Sequence, residues 1–353
     1  MTLRALIVGY GSVSAVHAEA LTSMPNARIV GVCDVNPERR TAAELELGVP
    51  TAQSVGDALQ SFTPDVVHVT TPHGQHEPVI LEALRAGCDV LTEKPLSSDL
   101  ASAERIAEAA RTPGLGRAGR RPRVGVCFQN RYNLSARAMK EVVEVGEFGA
   151  IKGAVATVAW HRPPEYYTDK PWRGTWSGSG GGLLINQAIH TVDLLQWIMG
   201  PVVDVRGRVG TDALNEIIEV EDTAALTLTH ESGVRSVLMA TNAAPANLPV
   251  TMDVVMERGQ MRSGTELLIT GEGTPDKVVK ERLPSDRSKA YWGSSHVELI
   301  RDFYEGFEAG EKFWIDPDEA MNSLRIVKAA YDGAGGFPER AGRELDSTNP
   351  YLV

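Results

Sequence analysis

The sequence predicts an α/β domain on a doubly wound parallel sheet, followed by an α+β domain with a large, open, mostly antiparallel sheet. Three observations predict it. Residues 1–128 alternate short apolar runs with helical stretches. Residues 129–353 string strand-like runs together with few helices between them. A chain of 353 residues also exceeds what one ordinary core encloses, so the cut is placed between domains 1–128 and 129–353.

In the first domain, Leu6–Val8 is an apolar run ending at glycine, and Ala15–Leu21 reads as helix. Arg28–Cys33 is a second strand, after which Asn36-Pro37-Glu38 starts a helix with proline in the first turn. Asp65–Thr70 is the third strand, Glu77–Ala86 a helix stopped by Gly87, and Cys88–Thr92 the fourth strand. A helix over Asp99–Arg111 precedes the fifth strand, Val124–Phe128. The Gly-, Pro- and Arg-rich stretch Arg111–Arg123 between them reads as a solvated loop.

The second domain opens with a helix over Ser135–Val145. Strands are expected over Ala154–Trp160, Val202–Arg208, Thr223–Thr229, Val234–Thr241 and Val250–Glu257, with hairpin-type turns at Glu231–Gly233 and Arg258-Gly259. Two late helices, Ser295–Glu308 and Pro317–Tyr331, complete it.

Composition narrows the function. Lys plus Arg number 35 against 46 Asp plus Glu, a net charge of −11, which lacks the basic footprint of a nucleic-acid binder. No apolar run is long enough to span a bilayer, and Leu3–Val8 is too short for a signal sequence, so no membrane partner and a cytosolic location are expected. Cys33, Cys88 and Cys127 are widely spaced with no Cys-x-x-Cys pair; they read as core residues, and no metal is expected.

Gly9-Tyr10-Gly11 directly follows the first strand and, with Ser12 and Val13, opens the first helix. The first glycine permits the tight turn and the second lets backbone approach a pyrophosphate at the helix N-terminus. The third fingerprint position is Ser14 rather than glycine. Asp34 ends the second strand at the spacing of a ribose-binding acid. This is a Rossmann-type dinucleotide site. Asp34 would repel a 2′-phosphate, favouring NAD over NADP, while Arg39 and Arg40 lie in reach of the adenosine.

Two segments carry chemistry. Glu93-Lys94-Pro95 follows the fourth strand at the sheet's carboxyl edge, where a lysine can polarise a hydroxyl or carbonyl. Gly180-Gly181-Gly182 opens a helix over Leu183–Met199 whose single charged residue is Asp193, so it is expected to be buried. Asn186, His190 and Asp193 fall on one face at i, i+4 and i+7.

These residues resemble the glucose–fructose oxidoreductase / inositol dehydrogenase / rhizopine catabolism (Gfo/Idh/MocA) family of NAD(P)-dependent oxidoreductases over nearly the whole chain. The carriers are Gly9-Tyr10-Gly11 with His17, Thr71-Pro72-His73 with His76, Glu93-Lys94-Pro95, Gln129-Asn130-Arg131-Tyr132, Pro171-Trp172-Arg173-Gly174 and the Gly180–Asp193 segment. The resemblance implies a cis Lys94–Pro95 bond, Lys94 as catalytic lysine, His190 as general acid/base and Asp193 as a residue that places substrate or histidine. It implies cofactor contacts at Thr71, Pro72, His76, Glu93, Lys94, Trp172 and Arg173, and substrate contacts at Arg131, His161 and Trp172. Inositol-type members carry Asp where this chain has Asn186, which hydrogen-bonds but takes no proton.

The function implied is hydride transfer between nicotinamide and a secondary alcohol or ketone of a sugar, cyclitol or related polyol. Two other readings use the same parts: glycoside cleavage through transient oxidation at C3, told apart by its products, and a non-catalytic NAD or sugar sensor. A homodimer or homotetramer through the second domain's sheet is expected, because few helices are available to cover its second face.

Overall fold

The computed structural model describes residues 2–116, 119–281, 295–306 and 311–333. The chain divides into two compact units: Met1–Asn133 with Arg282–Met321, and Leu134–Glu281 with Asn322–Val353.

The first unit contains strands β1 (Leu3–Val8), β2 (Ala27–Cys33), β3 (Thr51–Ala52), β4 (Val66–Val69), β5 (Asp89–Thr92) and β6 (Val124–Val126). They form one parallel sheet in the order β3-β2-β1-β4-β5-β6, the doubly wound order of dinucleotide-binding folds. The connecting helices are α1 (Ser14–Ser23), α2 (Pro37–Leu47), α3 (Val55–Phe62), α4 (His76–Arg85) and α5 (Leu100–Arg111). Leu6, Ile7, Val32, Val67, Val90 and Leu91 are buried, as strands covered on both faces require. The starts of α2 and α5 have local causes. The Asn36 side chain accepts from the Glu38 and Arg39 amides at 2.8 and 3.2 Å, ahead of Pro37. Asp99 accepts from the Ser102 amide at 2.8 Å.

Arg123 departs from a solvated loop: it is buried, its guanidinium over the rings of Phe303 and Phe313 at 5.3 and 5.4 Å. Those rings lie close to Gly125, where a Cβ would collide with both. The segment holding them, including α10 (Ser295–Glu305), therefore packs with the first unit although it follows the second in sequence. Residues 307 and 308 of the expected helix, and 117 and 118 of the expected loop, lie outside the described residues.

The second unit begins with α6 (Leu134–Val145) and β7 (Ile151–Ala159), then two short helices, α7 (Glu165–Thr168) and α8 (Trp176–Ser179). A π-helical turn, Leu184–Ala188, leads into α9 (Ile189–Met199). Strands β8 (Val202–Gly210), β9 (Thr223–His230), β10 (Arg235–Thr241), β11 (Thr251–Met256), β12 (Gly259–Ser263), β13 (Glu266–Gly271) and β14 (Thr274–Lys280) follow. The sheet order is β14-β13-β12-β11-β7-β10-β9-β8, antiparallel throughout except for the parallel β7–β10 pair. Helix α11 (Pro317–Gly333) runs from the last segment of the first unit into the second.

The expected strands are present. β12, β13 and β14 were not expected; β14 is exposed at nearly every position, so its sequence lacks the alternation that marks a half-buried strand. The expected helix over 183–199 is two windings, a π turn followed by an α-helix, because a π turn has no separate sequence signature.

Candidate active site

In the first unit, Val8 pairs with Val69 and Val69 with Thr92. The residues after these three strands, Gly9, Thr70 and Glu93, therefore share the carboxyl edge of the sheet, where the strand order reverses. Gly9 has φ +91°, and a Cβ there would sit 2.9 Å from the Thr70 carbonyl oxygen. Only glycine fits both constraints. Nothing lies within 4 Å of where a Gly11 Cβ would project, which leaves that backbone open to a pyrophosphate. Val13 flanks the start of α1, and the Ser14 hydroxyl donates to the Gly11 carbonyl at 2.5 Å. The small third fingerprint residue thus braces the loop. The cradle fits a dinucleotide on its own geometry.

Asp34 is buried at the end of β2, where its carboxylate accepts from the Tyr10 amide at 2.7 Å and the Asn36 amide at 2.8 Å. Arg39 approaches it at 3.6 Å. Arg40 instead donates to the carbonyls of Asp34 and Val35 at 2.8 and 3.0 Å. Asp34→Ala removes the loop's anchor and the ribose acceptor together, so NAD affinity should fall about tenfold or more, one charge-assisted hydrogen bond. Titration calorimetry with NAD measures this, and an unchanged Kd would remove Asp34 from the site.

The Glu93-Lys94-Pro95 turn is held from behind. The Lys94–Pro95 bond is cis, and Lys94 is half-buried between two buried neighbours. The His76 ring lies 2.8 Å from the Pro95 carbonyl and 3.0 Å from the Thr71 carbonyl. Its single N–H when neutral donates to one of these carbonyls, which gives His76 a bracing role between the loops after β4 and β5.

Glu93 likewise turns inward. Its carboxylate lies 3.1 Å from His17 Nε2 and 3.1 Å from His296 Nε2, and it also accepts from the Cys127 thiol. Burial alone would raise its pKa, but the hydrogen bonds from His17 and His296 hold it well below the usual value. The donor directions follow from an ionised Glu93. His17 and His296 donate through Nε2. His17, kept neutral by burial, then accepts at Nδ1 from His68 Nδ1–H at 2.8 Å. His68, also kept neutral by burial, accepts at Nε2 from the Tyr304 hydroxyl at 2.8 Å. One chain of bonds ends on the carboxylate beside Lys94. The Glu93 side chain, an expected cofactor contact, is the buried terminus of this network. His17, Glu93 and Cys127 place ligand-type atoms within 4.8 Å of one another, and these hydrogen bonds account for the cluster.

A pH dependence follows. Burial holds His17, His68 and His76 below their ordinary value of 6.5, so below that pH the unfolded chain takes up protons that the folded chain refuses. Glu93 adds a contribution present above about 4.5 and lost as the pH falls through its depressed folded value. Stability should therefore drop on acidification from pH 6.5, by up to about 1.4 kcal/mol per pH unit for each histidine. Urea midpoints between pH 7.5 and 5 measure it, and a flat profile would contradict the network.

In the second unit the glycine run has steric causes. Gly180 has φ +75° and Gly181 φ +151°; a Cβ at Gly181 would overlap the Tyr331 hydroxyl, and one at Gly182 the Glu221 carbonyl oxygen. Glu221 is fully buried, and its carboxylate accepts from the Gly182 amide at 2.8 Å, the Leu184 amide at 2.7 Å and the Tyr331 hydroxyl at 2.8 Å. Burial raises its pKa, against the pull of these donors. Glu221 thus caps the segment carrying Asn186 and His190. Sequence reasoning missed it; its one signal is the acidic pair Glu221-Asp222 directly before an alternating strand.

Asn186 and His190 are half-buried and Asp193 is buried, accepting from the Ser323 hydroxyl at 2.7 Å. The Asn186 and Gln187 amides both donate to the Tyr166 hydroxyl oxygen, at 3.3 and 3.0 Å. Arg173 lies over the Tyr166 ring at 4.0 Å, and half-buried Trp172 precedes it. His161 is exposed, its Nδ1 3.0 Å from the Ala244 carbonyl. Arg131 lies in the first unit, only 1% exposed, donating to Glu319 at 2.8 Å and lying over Trp314 at 5.5 Å. Its structural role is set by burial and pairing, and the substrate contact expected of it gains no support from that placement.

Comparison with known proteins bears on this arrangement. Residues 3–116 match the model of an oxidoreductase family with an NAD-binding Rossmann fold, and residues 136–262 match a GFO/IDH/MocA C-terminal domain. The chain is 31% identical over 346 residues to inositol 2-dehydrogenase of Acidiphilium cryptum, covering 93% of this chain and 94% of that one. It is 24% identical over 339 residues to the uncharacterized oxidoreductase YrbE of Bacillus subtilis, covering 94% of each. Among solved structures, the WlbA dehydrogenase from Bordetella pertussis, in complex with NADH and UDP-GlcNAcA, superposes with a TM-score of 0.81 at 30% identity, covering 95% of this chain and 97% of that one.

Proposed function

Since the chain belongs to the GFO/IDH/MocA family of NAD-binding oxidoreductases, we propose that it interconverts a secondary alcohol and a ketone on a sugar, cyclitol or sugar derivative. The observation that supports this reading is the common carboxyl edge of the parallel sheet, at which Asp34, the dinucleotide loop and Lys94 follow β2, β1 and β5. The relatives' names support the substrate class: an inositol dehydrogenase and a dehydrogenase holding UDP-GlcNAcA.

Gly9 to Val13, Asp34, Thr71 and Pro72 hold the dinucleotide in this reading. The bound nicotinamide supplies the hydride acceptor, or the donor in the reverse direction. Lys94 donates a hydrogen bond to the substrate oxygen and stabilises the charge that develops there. His190 takes the hydroxyl proton as general base. Asn186 cannot take a proton, so it orients the substrate and leaves the proton step to His190 and Lys94. Asp193 positions the histidine's helix and His161 lies toward the substrate.

The protein acts as a homo-oligomer through its large sheet. Val155 and Val237 are cross-strand partners on the central strands β7 and β10, 50% and 37% exposed, with Met239 and Val255 at 55% and 48% nearby. An apolar patch at the middle of a sheet, rather than at its edge, fits a second copy of the same face. Met239→Asp should yield monomers by light scattering, and a wild-type protein already monomeric would overturn the assembly.

The test of function is nicotinamide absorbance against a panel of inositols, free sugars, glycosides and nucleotide sugars, with products identified. Reduction coupled to a keto product is expected. Net hydrolysis without accumulation of NADH would replace the reading with glycoside cleavage.

A further inference from the structure

The Tyr166 hydroxyl stands at the end of a line of amides in the second unit. The line begins at fully buried Asn242, whose Nδ2 donates to the Tyr167 hydroxyl at 2.9 Å and to Gln187 Oε1 at 3.2 Å. Asn242 Oδ1 is buried without a hydrogen-bond partner. Turning that amide round would bury two unpaired N–H groups in place of one unpaired oxygen, so its NH2 stays on Tyr167 and Gln187. Gln187 then keeps its oxygen toward Asn242 and its own NH2 toward Tyr166, donating to the hydroxyl oxygen at 3.0 Å. Asn186 donates to the same oxygen at 3.3 Å.

A phenol oxygen accepts up to two hydrogen bonds and donates one. Both acceptor places on Tyr166 are taken, and its proton meets no acceptor among the described residues. Two donors on the oxygen polarise the O–H bond and strengthen it as a donor. The ring itself is fixed. Arg173 and Arg162 lie over it at 4.0 and 5.2 Å, Tyr167 meets it edge-on with centroids 5.0 Å apart, and it packs against the buried cluster of Tyr167, Leu214, Ile218 and Val220. The direction left for the proton is therefore set, one hydrogen bond away from Asn186. Asn186 in turn lies one turn before His190. All of these residues belong to the second unit.

We propose that Tyr166 is a specificity-determining residue that donates a hydrogen bond to a second oxygen of the substrate, one other than the oxygen that loses its proton. The inference rests on the proposed sugar oxidoreductase reading and deepens it: the substrate carries two oxygens at a fixed spacing, and an analogue without the second one leaves a polarised donor unpaired in the site. A site built around such a donor rejects the analogue more strongly than an apolar pocket rejects a change of similar size. Gln187 and Asn242 act behind it as positioning residues, because they set which way the Tyr166 proton faces.

The test measures binding rather than turnover, so it survives an error in the reaction assigned. Titration calorimetry of the NAD-loaded protein uses D-glucose, myo-inositol and UDP-glucose, with the singly deoxygenated forms of each sugar. For a sugar that binds, loss of one particular hydroxyl away from the oxidised carbon should weaken binding about tenfold or more. Tyr166→Phe keeps the ring and its packing and removes only the donor. In that variant the parent sugar should bind about tenfold more weakly, and the penalty for that one deoxygenation should shrink to less than about threefold. Penalties at the other positions and the Kd for NAD should not change. A merely structural role would weaken parent and deoxygenated sugars alike and leave the penalty whole. That result, a wild-type protein in which no single deoxygenation costs as much, or altered NAD binding in the variant would each overturn the proposal. The expected pattern with no nicotinamide reduction would overturn the assigned reaction and leave the role of Tyr166 standing, and reduction without the pattern would do the reverse. No binding by any of the three sugars would overturn both.

Discussion

Lys94→Ala is expected to lower turnover by about three orders of magnitude, the combined scale of proton transfer and oxyanion stabilisation. NAD affinity should stay within about threefold of the parent. The argument is positional. Lys94 is held between the inward-facing Glu93 and the cis Pro95, whose carbonyl is braced by His76. The dinucleotide loop takes its shape from other contacts, those of Gly9 and Asp34. Removing the ammonium therefore removes a group that serves the substrate oxygen and leaves the cofactor's cradle intact. Stopped-flow single turnovers with calorimetric NAD titration separate the two, and a variant that turns over a verified substrate at the parent's rate would remove Lys94 from the chemistry.

Gly182→Ala is expected to cost about 3 kcal/mol of stability, the upper range for overpacking, because the new methyl group would overlap a backbone oxygen that cannot swing away. In a chain of 353 residues that corresponds to roughly 4 °C in Tm. The obstacle is the Glu221 carbonyl, whose own carboxylate holds the Gly182 and Leu184 amides. Relief of the clash must therefore shift the start of the segment bearing Asn186 and His190, and turnover should fall even in the fraction that remains folded. Differential scanning calorimetry and specific activity per folded molecule check this together. A variant melting within a degree of the parent would mean that the backbone relaxes without consequence.

The fold was legible where periodicity and punctuation are strong. The strand β1, the glycine pair after it and Asp34 announced the parallel sheet and its ligand edge, and alternating apolar residues over β7, β9, β10 and β11 announced the larger sheet. β14 was hidden because it is an exposed strand with almost no apolar side to display.

The site was legible by residue type and less so by role. Glu93 and His76 were singled out as cofactor contacts; their side chains lie against His17 and His296 and against the Pro95 and Thr71 carbonyls. A motif records which residue is present, and the partner chosen from elsewhere in the chain decides what it does. His68 was passed over, although a histidine inside the fully buried strand β4 signals a polar partner such as His17 or Tyr304. Glu221 and Tyr166 stand far from the helix they support, and spacing alone does not bring them to it.

The most direct test of the central claim follows the hydride itself. The substrate found in the nicotinamide panel is prepared with deuterium on the carbon bearing the oxidised hydroxyl, and the products are read by proton and deuterium NMR. Deuterium should appear at C4 of the reduced nicotinamide, on one face of the ring, with a ketone at the labelled carbon. Deuterium retained in a cleaved sugar product, or exchanged into solvent with no label in the nicotinamide, would contradict net oxidation of an alcohol by this protein.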